Sequence, residues 1–417
     1  MHLILVTSGT DGDLFPYVAL GARLKERGHR VTLAANANAE RFAVEHGFAF
    51  LPIVSHEELQ EILGNPDFWH PIKGPYAGVQ WGGRLIDRQY DDLAAITTDD
   101  AVLVANPGIF AARLIHEKLG RPIVSLLLQP WMIPSISAPP VMPTGLTLPR
   151  WAPRFVGRLY WSSIHFVADR LVSESINRVR ARLGLPRIRR VMEWWVSPDR
   201  ILGMFPDWYG PPQSDWPEQI RLTGFPMYDG APTGPLADDV VEFCNAGAPP
   251  IVFTFGTGMM HAAAVFRAAI DAVHRLDRRA ILLTKFREQL PVELPPNVRH
   301  FEFVPLQGLL PLASAIVHHG GIGTTAKALA AGVPQLIVPW SWDQPDNAAR
   351  LERLGIGESL TLRRATGPRI AASLNRLLTA ERRERCRQVA ESFDDSDALS
   401  LAADYVEQLT ANRSPAS

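Results

Sequence analysis

The feature that most constrains the fold is a pattern that occurs twice: an apolar run, a glycine-rich loop, a helical periodicity and a second apolar run. The first copy covers residues 3–6, 7–13, 16–27 and 30–34, and the second covers 251–255, 256–258, 262–276 and 280–284. This order is typical of the βαβ unit of a parallel sheet, whose loop lies at the carboxyl end of the first strand. Two copies in 417 residues predict two Rossmann-like α/β domains in tandem.

Other apolar runs extend both halves, and we expect further strands and helices at 101–105, 110–119, 122–128, 315–318, 326–331 and 335–339. Between the halves the composition turns to Gly, Pro, Ala and Asp without periodicity, which indicates a linker. We therefore predict four parts of the chain: an N-terminal domain at 1–222, a linker at 223–248, a C-terminal domain at 249–385 and a helical tail at 386–417.

The charge balance and the cysteine content exclude several classes of protein. Lys and Arg number 42 against 43 Asp and Glu, which argues against a nucleic-acid partner. Cys244 and Cys386 are far apart in sequence, so we expect no disulfide framework and no cysteine-based metal site. The chain opens on a strand pattern without a basic leader, and no run reaches 18 apolar residues. We expect a cytoplasmic protein, with attachment to the inner face of the membrane left open.

The most informative segment is the loop at 318–325, His-His-Gly-Gly-Ile-Gly-Thr-Thr, between a predicted strand and a predicted helix. Gly320, Gly321 and Gly323 would let the backbone approach a diphosphate closely. The N–H groups at the helix start, together with the helix dipole, would then favour its negative charge. Thr324 and a histidine add donors, so the loop is suited to stabilise a departing nucleoside diphosphate.

Asp343 and Gln344 follow this loop, and with them the chain resembles the GT-B nucleotide-sugar glycosyltransferases of family 1. The resemblance covers both halves and implies two Rossmann-like domains that face a cleft. Within the family the chain is similar to the rhamnosyltransferase B chains of rhamnolipid synthesis, at residues 116–118, 138–141, 215–217 and 222–226. The family also implies that the last helix, at 398–410, returns to pack on the N-terminal domain.

The resemblance assigns a donor site residue by residue. Phe303, followed by Val304, falls where the family has an aromatic residue that stacks on the donor base. Asp343 and Gln344 match the pair that binds the sugar hydroxyls. The diphosphate would be held by Gly256, Thr257, a histidine, Gly320, Gly321, Gly323 and Thr324. The histidine is His319 or His318, depending on whether the loop carries an insertion.

Transfer with inversion also needs a general base that removes the proton of the attacking hydroxyl. The loop at 9–13 resembles a loop of the family, and its last residue, Asp13, would face the cleft from the end of the first strand. We predict Asp13 as the base and Asp11 as its reserve; the alternative is that Asp13 only caps the following helix. Asp11 and Asp13 also form the Asp-x-Asp motif by which another glycosyltransferase fold binds a metal ion. We expect no metal here, because the phosphate loop already supplies the charge stabilisation.

The sequence says less about which donor and which acceptor the protein uses. The Glu that binds the ribose hydroxyls in plant members is replaced by Lys327, which favours a deoxyribose donor such as dTDP-rhamnose. Two stretches rich in Pro and Trp, 64–83 and 129–161, are expected to be irregular and either to close off sheet edges or to form an apolar acceptor pocket. The candidate acceptor residues are Trp69, Trp81 and Trp131.

These expectations combine into a metal-independent hexosyltransferase that moves rhamnose to an apolar acceptor such as a hydroxy fatty acid. Its nucleotide sugar, a dTDP- or UDP-sugar, is a substrate, and no cofactor is expected. Contact with a membrane surface and a partner enzyme that supplies the acceptor are left open. The alternatives are a UDP-glucose-dependent glucosyltransferase acting on a sterol, flavonoid or polyketide, a UDP-GlcNAc 2-epimerase-like enzyme, and a non-catalytic partner that binds nucleotide sugars.

Overall fold

A computed structural model describes residues 1–230, 234–393 and 397–411. The strands of the N-terminal half are β1 His2–Val6, β2 Arg30–Asn36, β3 Ala49–Val54, β4 Ala101–Ala105, β5 Ile123–Leu127, β6 Arg200–Gly203 and β7 Ile220–Leu222. They form one sheet in the order β3-β2-β1-β4-β5-β6-β7, and every pair is parallel. Every residue of β1, β4 and β5 is buried, as expected for aliphatic strands covered on both faces.

The C-terminal half repeats this arrangement. Its strands are β8 Ile251–Thr254, β9 Ala280–Leu283, β10 Val298–Phe301, β11 Ala315–His318, β12 Gln335–Ile337 and β13 Gly357–Ser359. They form a second parallel sheet in the order β10-β9-β8-β11-β12-β13. In each sheet the direction of chain progression reverses beside the first strand, which is where open α/β sheets bind ligands. The prediction of two Rossmann-like domains is confirmed.

Helices connect the strands of both sheets. Those of the N-terminal half are α1 Asp11–Glu26, α2 Glu40–His46, α3 His56–Gly64, α4 Lys73–Ile96, α5 Phe110–Leu119, α6 Arg154–Arg182 and α7 Val191–Trp194. Those that follow are α8 Asp238–Asn245, α9 Ala263–Arg275, α10 Leu306–Leu309, α11 Ile322–Ala330, α12 Gln344–Leu354, α13 Gly367–Leu377, α14 Ala380–Ala390 and α15 Ala398–Ala411.

The two domains share an apolar cluster. Its buried members include Leu127, Ile201, Phe205 and Phe225 from the N-terminal half and Leu329, Ile337, Leu351 and Ile356 from the C-terminal half. A polar contact flanks it: Arg350, paired with Asp346 at 2.7 Å, also donates to the carbonyl oxygen of Tyr209 at 2.9 Å. The structure therefore has the two domains packed against each other, with the carboxyl ends of both sheets at one cleft.

Of the two stretches expected to be irregular, 64–83 is largely helical, so that prediction was wrong, whereas 129–161 is irregular except for a 3₁₀ turn and its last residues. The stretch at 64–83 contains a 3₁₀ turn, Pro66–Trp69, and then the first turns of α4. Pro75 is compatible with that helix because it lies in the first turn, where backbone N–H groups have no intrahelical acceptor. The stretch at 129–161 is irregular only up to Pro153, since α6 begins at Arg154. The predicted helix at 16–27 likewise begins earlier, at Asp11, with Pro16 inside it.

The predicted domain boundaries also shift. The segment expected as a linker contains α8, whose Val240 and Phe243 are buried in the core of the C-terminal half. The boundary at 385 falls inside α14. The segment that packs on the N-terminal domain is α15, whose Ala402, Ala403 and Val406 join the core around α1. Ion pairs of α1 and its C-terminal cap with the tail, such as Arg23 with Asp397, support this contact from outside.

Candidate active site at the interdomain cleft

The glycine-rich loop between β11 and α11 has the geometry of an anion site. Gly320 has a φ of +95°, and a side chain there would collide with Ile337 and the backbone of Gln344, so only glycine fits. Gly321 is the N-cap of α11, and Gly323 and Thr324 lie in its first turn. The first N–H groups of a helix lack intrahelical acceptors and carry the positive end of the dipole. The loop is therefore suited to an anion such as the diphosphate that the sequence analysis expects there.

The two adjacent histidines have different surroundings. His318 is fully buried: its Nε2 lies 3.0 Å from Oε1 of Gln335, and its Nδ1 accepts from the N–H of Gly320 at 3.1 Å. Both ring nitrogens are thus used inside the fold, and burial lowers its pKa to about 3. His319 has a buried Nδ1 without a hydrogen-bond partner among the described residues. Burial lowers its pKa to about 4, so the ring is neutral at pH 7. His319 is the histidine that can contact a ligand.

The loop after β8 approaches the same histidine. Gly256 has a φ of +95°, and a Cβ placed on it would lie 3.1 Å from Cε1 of His319. Thr257, the next residue, is half-buried. Gly258 in turn lies against the methyl group of Thr10, since a Cβ there would be 2.7 Å from that carbon. This loop therefore brings the predicted phosphate site next to the N-terminal loop that carries Asp13.

Asp13 lies in the first turn of α1, at the carboxyl end of β1. Its Oδ2 accepts from the backbone N–H of Thr10 at 3.0 Å and from the Thr10 hydroxyl at 3.2 Å. The carboxylate therefore does stabilise the helix start, which was the alternative role, but these bonds use only one of its oxygens. Burial raises the pKa of Asp13, while the bonds from Thr10 oppose that shift and the charge of Asp11 adds to it. The Oδ1 atom is left for another proton donor.

Asp11, the reserve for the base, is engaged elsewhere. Its carboxylate lies 3.3 Å from the ammonium of Lys285, which follows β9 of the other domain. This contact is an interdomain ion pair at the rim of the cleft. Of the two acidic residues of the loop, Asp13 is the one that forms no ion pair with a basic side chain among the described residues.

Asp343 and Gln344 lie at the start of α12. Gln344 is buried, and its Oε1 accepts from the N–H groups of Trp340 and Ser341 at 2.7 and 3.2 Å, which fixes the loop before the helix. Oδ2 of Asp343 accepts from Nδ2 of Asn347 at 2.7 Å. The amide side of Gln344 and Oδ1 of Asp343 are the groups of this pair that can bind hydroxyls.

The carboxylates of Asp343 and Asp13 repel each other across the cleft. Burial and, to a smaller extent, the charge of Asp13 raise the pKa of Asp343 to about 7. Because like charges repel, the ionised form of one carboxyl group disfavours ionisation of the other. A ligand that donates hydroxyl groups to both would relieve this repulsion, so the pair is suited to a polyhydroxylated molecule.

Phe303 and Lys327 are the residues at which the sequence predicted contacts with the nucleotide. Phe303 follows β10 and has 44% of its surface exposed, whereas the adjacent Val304 is buried in the core. A half-exposed ring at the carboxyl edge of a sheet offers a stacking surface. Lys327 is buried and its ammonium lies 2.9 Å from the carboxylate of Asp229, in the segment between the domains. This residue joins the two halves of the chain and offers no hydrogen-bond acceptor to a ribose.

The three candidate acceptor tryptophans differ in their contacts. Trp69 donates its Nε1–H to Leu63 and packs against the core of the C-terminal domain. Trp81 donates to Glu58 and packs on the N-terminal core. Both indoles thus contribute to packing. Trp131, which follows β5, has a buried Nε1 without a partner among the described residues.

Sequence reasoning gave no role to several residues that organise the site. Asn347 donates to Asp343 and also to the carbonyl oxygen of Gly320 at 2.8 Å, and its own Oδ1 accepts from the hydroxyl of Tyr209 at 2.8 Å. Trp342, just before Asp343, has a φ of +59° and donates to the carbonyl oxygen of Phe68 at 3.3 Å. Asn347 and Trp342 belong to the same motif as Asp343, which was the available signal. Nothing in the sequence marked Tyr209 and Phe68.

Metal ligands are not grouped in this cleft. Across residues 1–230, 234–393 and 397–411, no three His, Cys, Asp or Glu side chains are placed to hold a metal ion together.

Family models match both ends of the chain. Residues 3–137 match the glycosyltransferase family 28 N-terminal domain, and residues 267–400 match the C-terminal domain described as erythromycin biosynthesis protein CIII-like. Among curated proteins, glycosyltransferase GtfC of Amycolatopsis orientalis is 29% identical over 97% of this chain and 96% of its own length. A sterol 3-beta-glucosyltransferase of Debaryomyces hansenii is 27% identical over 98% of this chain, which spans only 27% of that protein.

Solved structures share the fold along the whole chain. The glycosyltransferase of kitacinnamycin superimposes with a TM-score of 0.74 at 21% identity, covering 98% of each chain. The glycosyltransferase VinC, solved in complex with dTDP, superimposes with a TM-score of 0.68 at 19% identity, covering 99% of this chain and all of that one. The predicted fold class is confirmed by these likenesses.

The raised pKa of Asp343 predicts a pH-dependent gain of stability in Asp343→Asn. Since the folded pKa, about 7, lies above the ordinary value of 3.8, ionisation destabilises the folded protein increasingly as the pH rises between these values. In thermal unfolding, the melting temperature of the variant should therefore be several degrees above that of the parent at pH 8, and the two melting temperatures should be equal at pH 4. Asp238→Asn, which removes an exposed carboxylate, should show no such gain. Equal melting of parent and Asp343→Asn at every pH would contradict the raised pKa.

The histidine geometry predicts different effects for His319→Ala and His318→Ala. Loss of a hydrogen bond to a charged ligand costs about 1.5–3 kcal/mol, so His319→Ala should weaken binding of inorganic pyrophosphate roughly tenfold or more without loss of stability. His318→Ala should instead lower the free energy of unfolding by about 1–3 kcal/mol, because it leaves buried partners unpaired. Calorimetric titration and urea unfolding measure the two effects. The reverse result would assign the ligand contact to His318.

Proposed function

We propose that this chain, a nucleotide-sugar glycosyltransferase of the GT-B type, transfers a sugar with inversion from dTDP-rhamnose to a hydroxyl of an apolar acceptor such as a hydroxy fatty acid. The observation that carries the proposal is the convergence of one unengaged carboxylate oxygen, that of Asp13, on a cleft whose other wall holds Asp343 and the phosphate loop. A base on one domain and a leaving-group site on the other are the two parts that a single displacement requires.

The reaction follows from these positions. The acceptor hydroxyl attacks the anomeric carbon while Oδ1 of Asp13 takes its proton. The bond between that carbon and the diphosphate oxygen breaks, and its electron pair leaves with the diphosphate. The start of α11 and the His319 ring stabilise this developing charge, with hydroxyl donors from Thr257 and Thr324. Burial, which raises the pKa of Asp13, makes it a stronger base than an exposed aspartate.

Asp343 has a different part in this proposal. It binds sugar hydroxyls together with Gln344, held in place by Asn347. A hydroxyl donated to Asp343 disperses its charge, which makes ionisation of Asp13 easier because the two carboxylates repel each other. Donor binding therefore activates the base. The packing of the domains against each other excludes water that would hydrolyse the donor.

A dTDP donor is supported by two observations. Lys327 forms an ion pair with Asp229 and has no acceptor for the 2′-hydroxyl of a ribose. A deoxyribose has no 2′-hydroxyl and so needs no such acceptor. A protein of the same fold, VinC, was solved with dTDP. The second candidate is UDP-glucose-dependent transfer to a sterol, flavonoid or polyketide. It is favoured by the match to a sterol 3-beta-glucosyltransferase along 98% of this chain.

The donor preference is tested by turnover with dTDP-rhamnose and UDP-glucose, each in EDTA, against a 3-hydroxy fatty acid, a sterol and a flavonoid. We expect transfer from dTDP-rhamnose to the hydroxy fatty acid, with inverted anomeric configuration by NMR and full activity in EDTA. Transfer from UDP-glucose only would establish the second candidate. Isomerisation of a UDP-sugar without acceptor would identify an epimerase-like enzyme, and binding without any product would identify a non-catalytic partner.

The base assignment predicts that Asp13→Asn loses turnover and keeps donor binding. A general base contributes about 10²–10⁴ in rate, so kcat should fall by at least a hundredfold while the Kd for the donor changes little. The parent should lose activity as the pH falls through the raised pKa of Asp13, because the protonated carboxyl cannot accept a proton. Asp11→Asn, in the same loop, is the matched control and should keep most of its turnover. Comparable kcat in Asp13→Asn and the parent would overturn the assignment.

A further inference from the structure

An exposed apolar stripe runs along the first half of α6, away from the cleft residues described above. Its members are Trp151, just before the helix, with 83% of its surface exposed, and Phe155, Leu159 and Phe166, with 71, 68 and 67% exposed. At 100° per residue the three helical members fall within an arc of roughly 40°. Soluble proteins seldom leave several large apolar side chains together on one face, so this stripe indicates an interaction surface.

The charges beside the stripe have one sign. Between residues 141 and 171 the charged residues are Arg150, Arg154, Arg158, Asp169 and Arg170. Around the helix, Arg158 and Arg170 lie roughly 60° from Phe155 in opposite directions, one on each side of the stripe, and both are exposed. Asp169, the one acidic residue, accepts from the backbone N–H of Met192 at 3.0 Å, so it is turned toward the protein. Arg154, Arg158, Arg170 and the apolar stripe are together called the α6 surface below.

The second half of the same helix is used inside the protein. Val172, Ile176 and Val179 are buried in the N-terminal core, against α4 among other elements. In the first half only Gly157 is buried, where it lies against Ile136. One helix thus has a half packed in the core and a half on which the stripe residues face outward. The fold itself offers no partner for the outward half among the described residues.

We propose that the α6 surface binds a bilayer that contains anionic phospholipid. Aromatic and aliphatic side chains on one helix face, flanked by arginines, are the features of helices that lie in the plane of a membrane interface. Four arginines and one aspartate match the negative charge of such a surface. Among the described residues, no helix is long and apolar enough to cross a membrane, so the contact is peripheral. This inference does not depend on the sugar-transfer reaction.

The surface is connected to the cleft by the loop between β5 and α6. Trp161 donates to the carbonyl oxygen of Ser135 at 3.0 Å, and Tyr160 donates to that of Leu146 at 2.7 Å, which fixes this loop on the helix. The N–H of Val141, within the loop, donates to Asp346 of α12 at 2.8 Å. A bilayer bound at the α6 surface would therefore lie beside the loop that also contacts the donor domain.

Flotation of the full chain with vesicles tests the proposal. We expect binding to vesicles of three parts phosphatidylcholine and one part phosphatidylglycerol, little binding to pure phosphatidylcholine, and loss of binding in high salt. Phe155→Ser/Leu159→Ser and Arg154→Gln/Arg158→Gln should each lower the vesicle-bound to free ratio at least tenfold. The matched controls, Val44→Ser/Val292→Ser and Arg363→Gln/Arg364→Gln, change equally exposed residues elsewhere and should bind as the parent does.

Three results would overturn the proposal. The first is failure of the parent to float with anionic vesicles, and the second is an equal loss of binding in the control variants. The third is a concentration-dependent dimer in sedimentation that Phe155→Ser/Leu159→Ser abolishes, which would make the surface an interface between two copies of this chain. Sugar transfer to a water-soluble acceptor, measured on the same variants, should be unchanged. Failure of vesicle binding can therefore be distinguished from failure of the proposed reaction.

Discussion

The parallel arrangement of both sheets is the constraint on which the rest of the structure depends. Parallel strands end at the same edge, so each sheet gathers the loops that follow its strands on one side. Packing the two edges against one cleft brings the loop after β1, with Asp13, to the loops after β8 and β11. Residues more than 200 positions apart in sequence become neighbours without any of them needing a special contact of its own.

Hydrogen bonds between buried polar groups then fix the relative positions of the residues in that cleft. Asn347 is hydrogen-bonded to Asp343, to the glycine-rich loop at Gly320 and to Tyr209 of the other domain. One amide therefore fixes the carboxylate, the glycine loop and the domain contact relative to one another. Because unpaired buried polar groups are costly, these bonds favour one relative position of the domains over others.

The sequence was sufficient for the fold class, and it named candidate site residues that the structure places around one cleft. Strands such as β4 and β11 are short, apolar and bounded by turn residues, and the predictions for them match the structure residue for residue. The starts of α4 and α6 were less accessible, because each helix begins within a stretch rich in proline and tryptophan, and α4 is stabilised by packing on the N-terminal core. The choice between His318 and His319 also needed the structure, since only the contacts with Gln335 and Gly320 show which ring is already used.

Trp342 gives the cleft a property that neither domain has alone. A non-glycine residue at a φ of +59° is strained by about 1–3 kcal/mol, and here the surroundings that hold it include Phe68 of the opposite domain. Separation of the domains would release the tryptophan and, with it, the backbone that aims Asp343. The geometry around Asp343 would thus be complete only while the two domains are packed against each other.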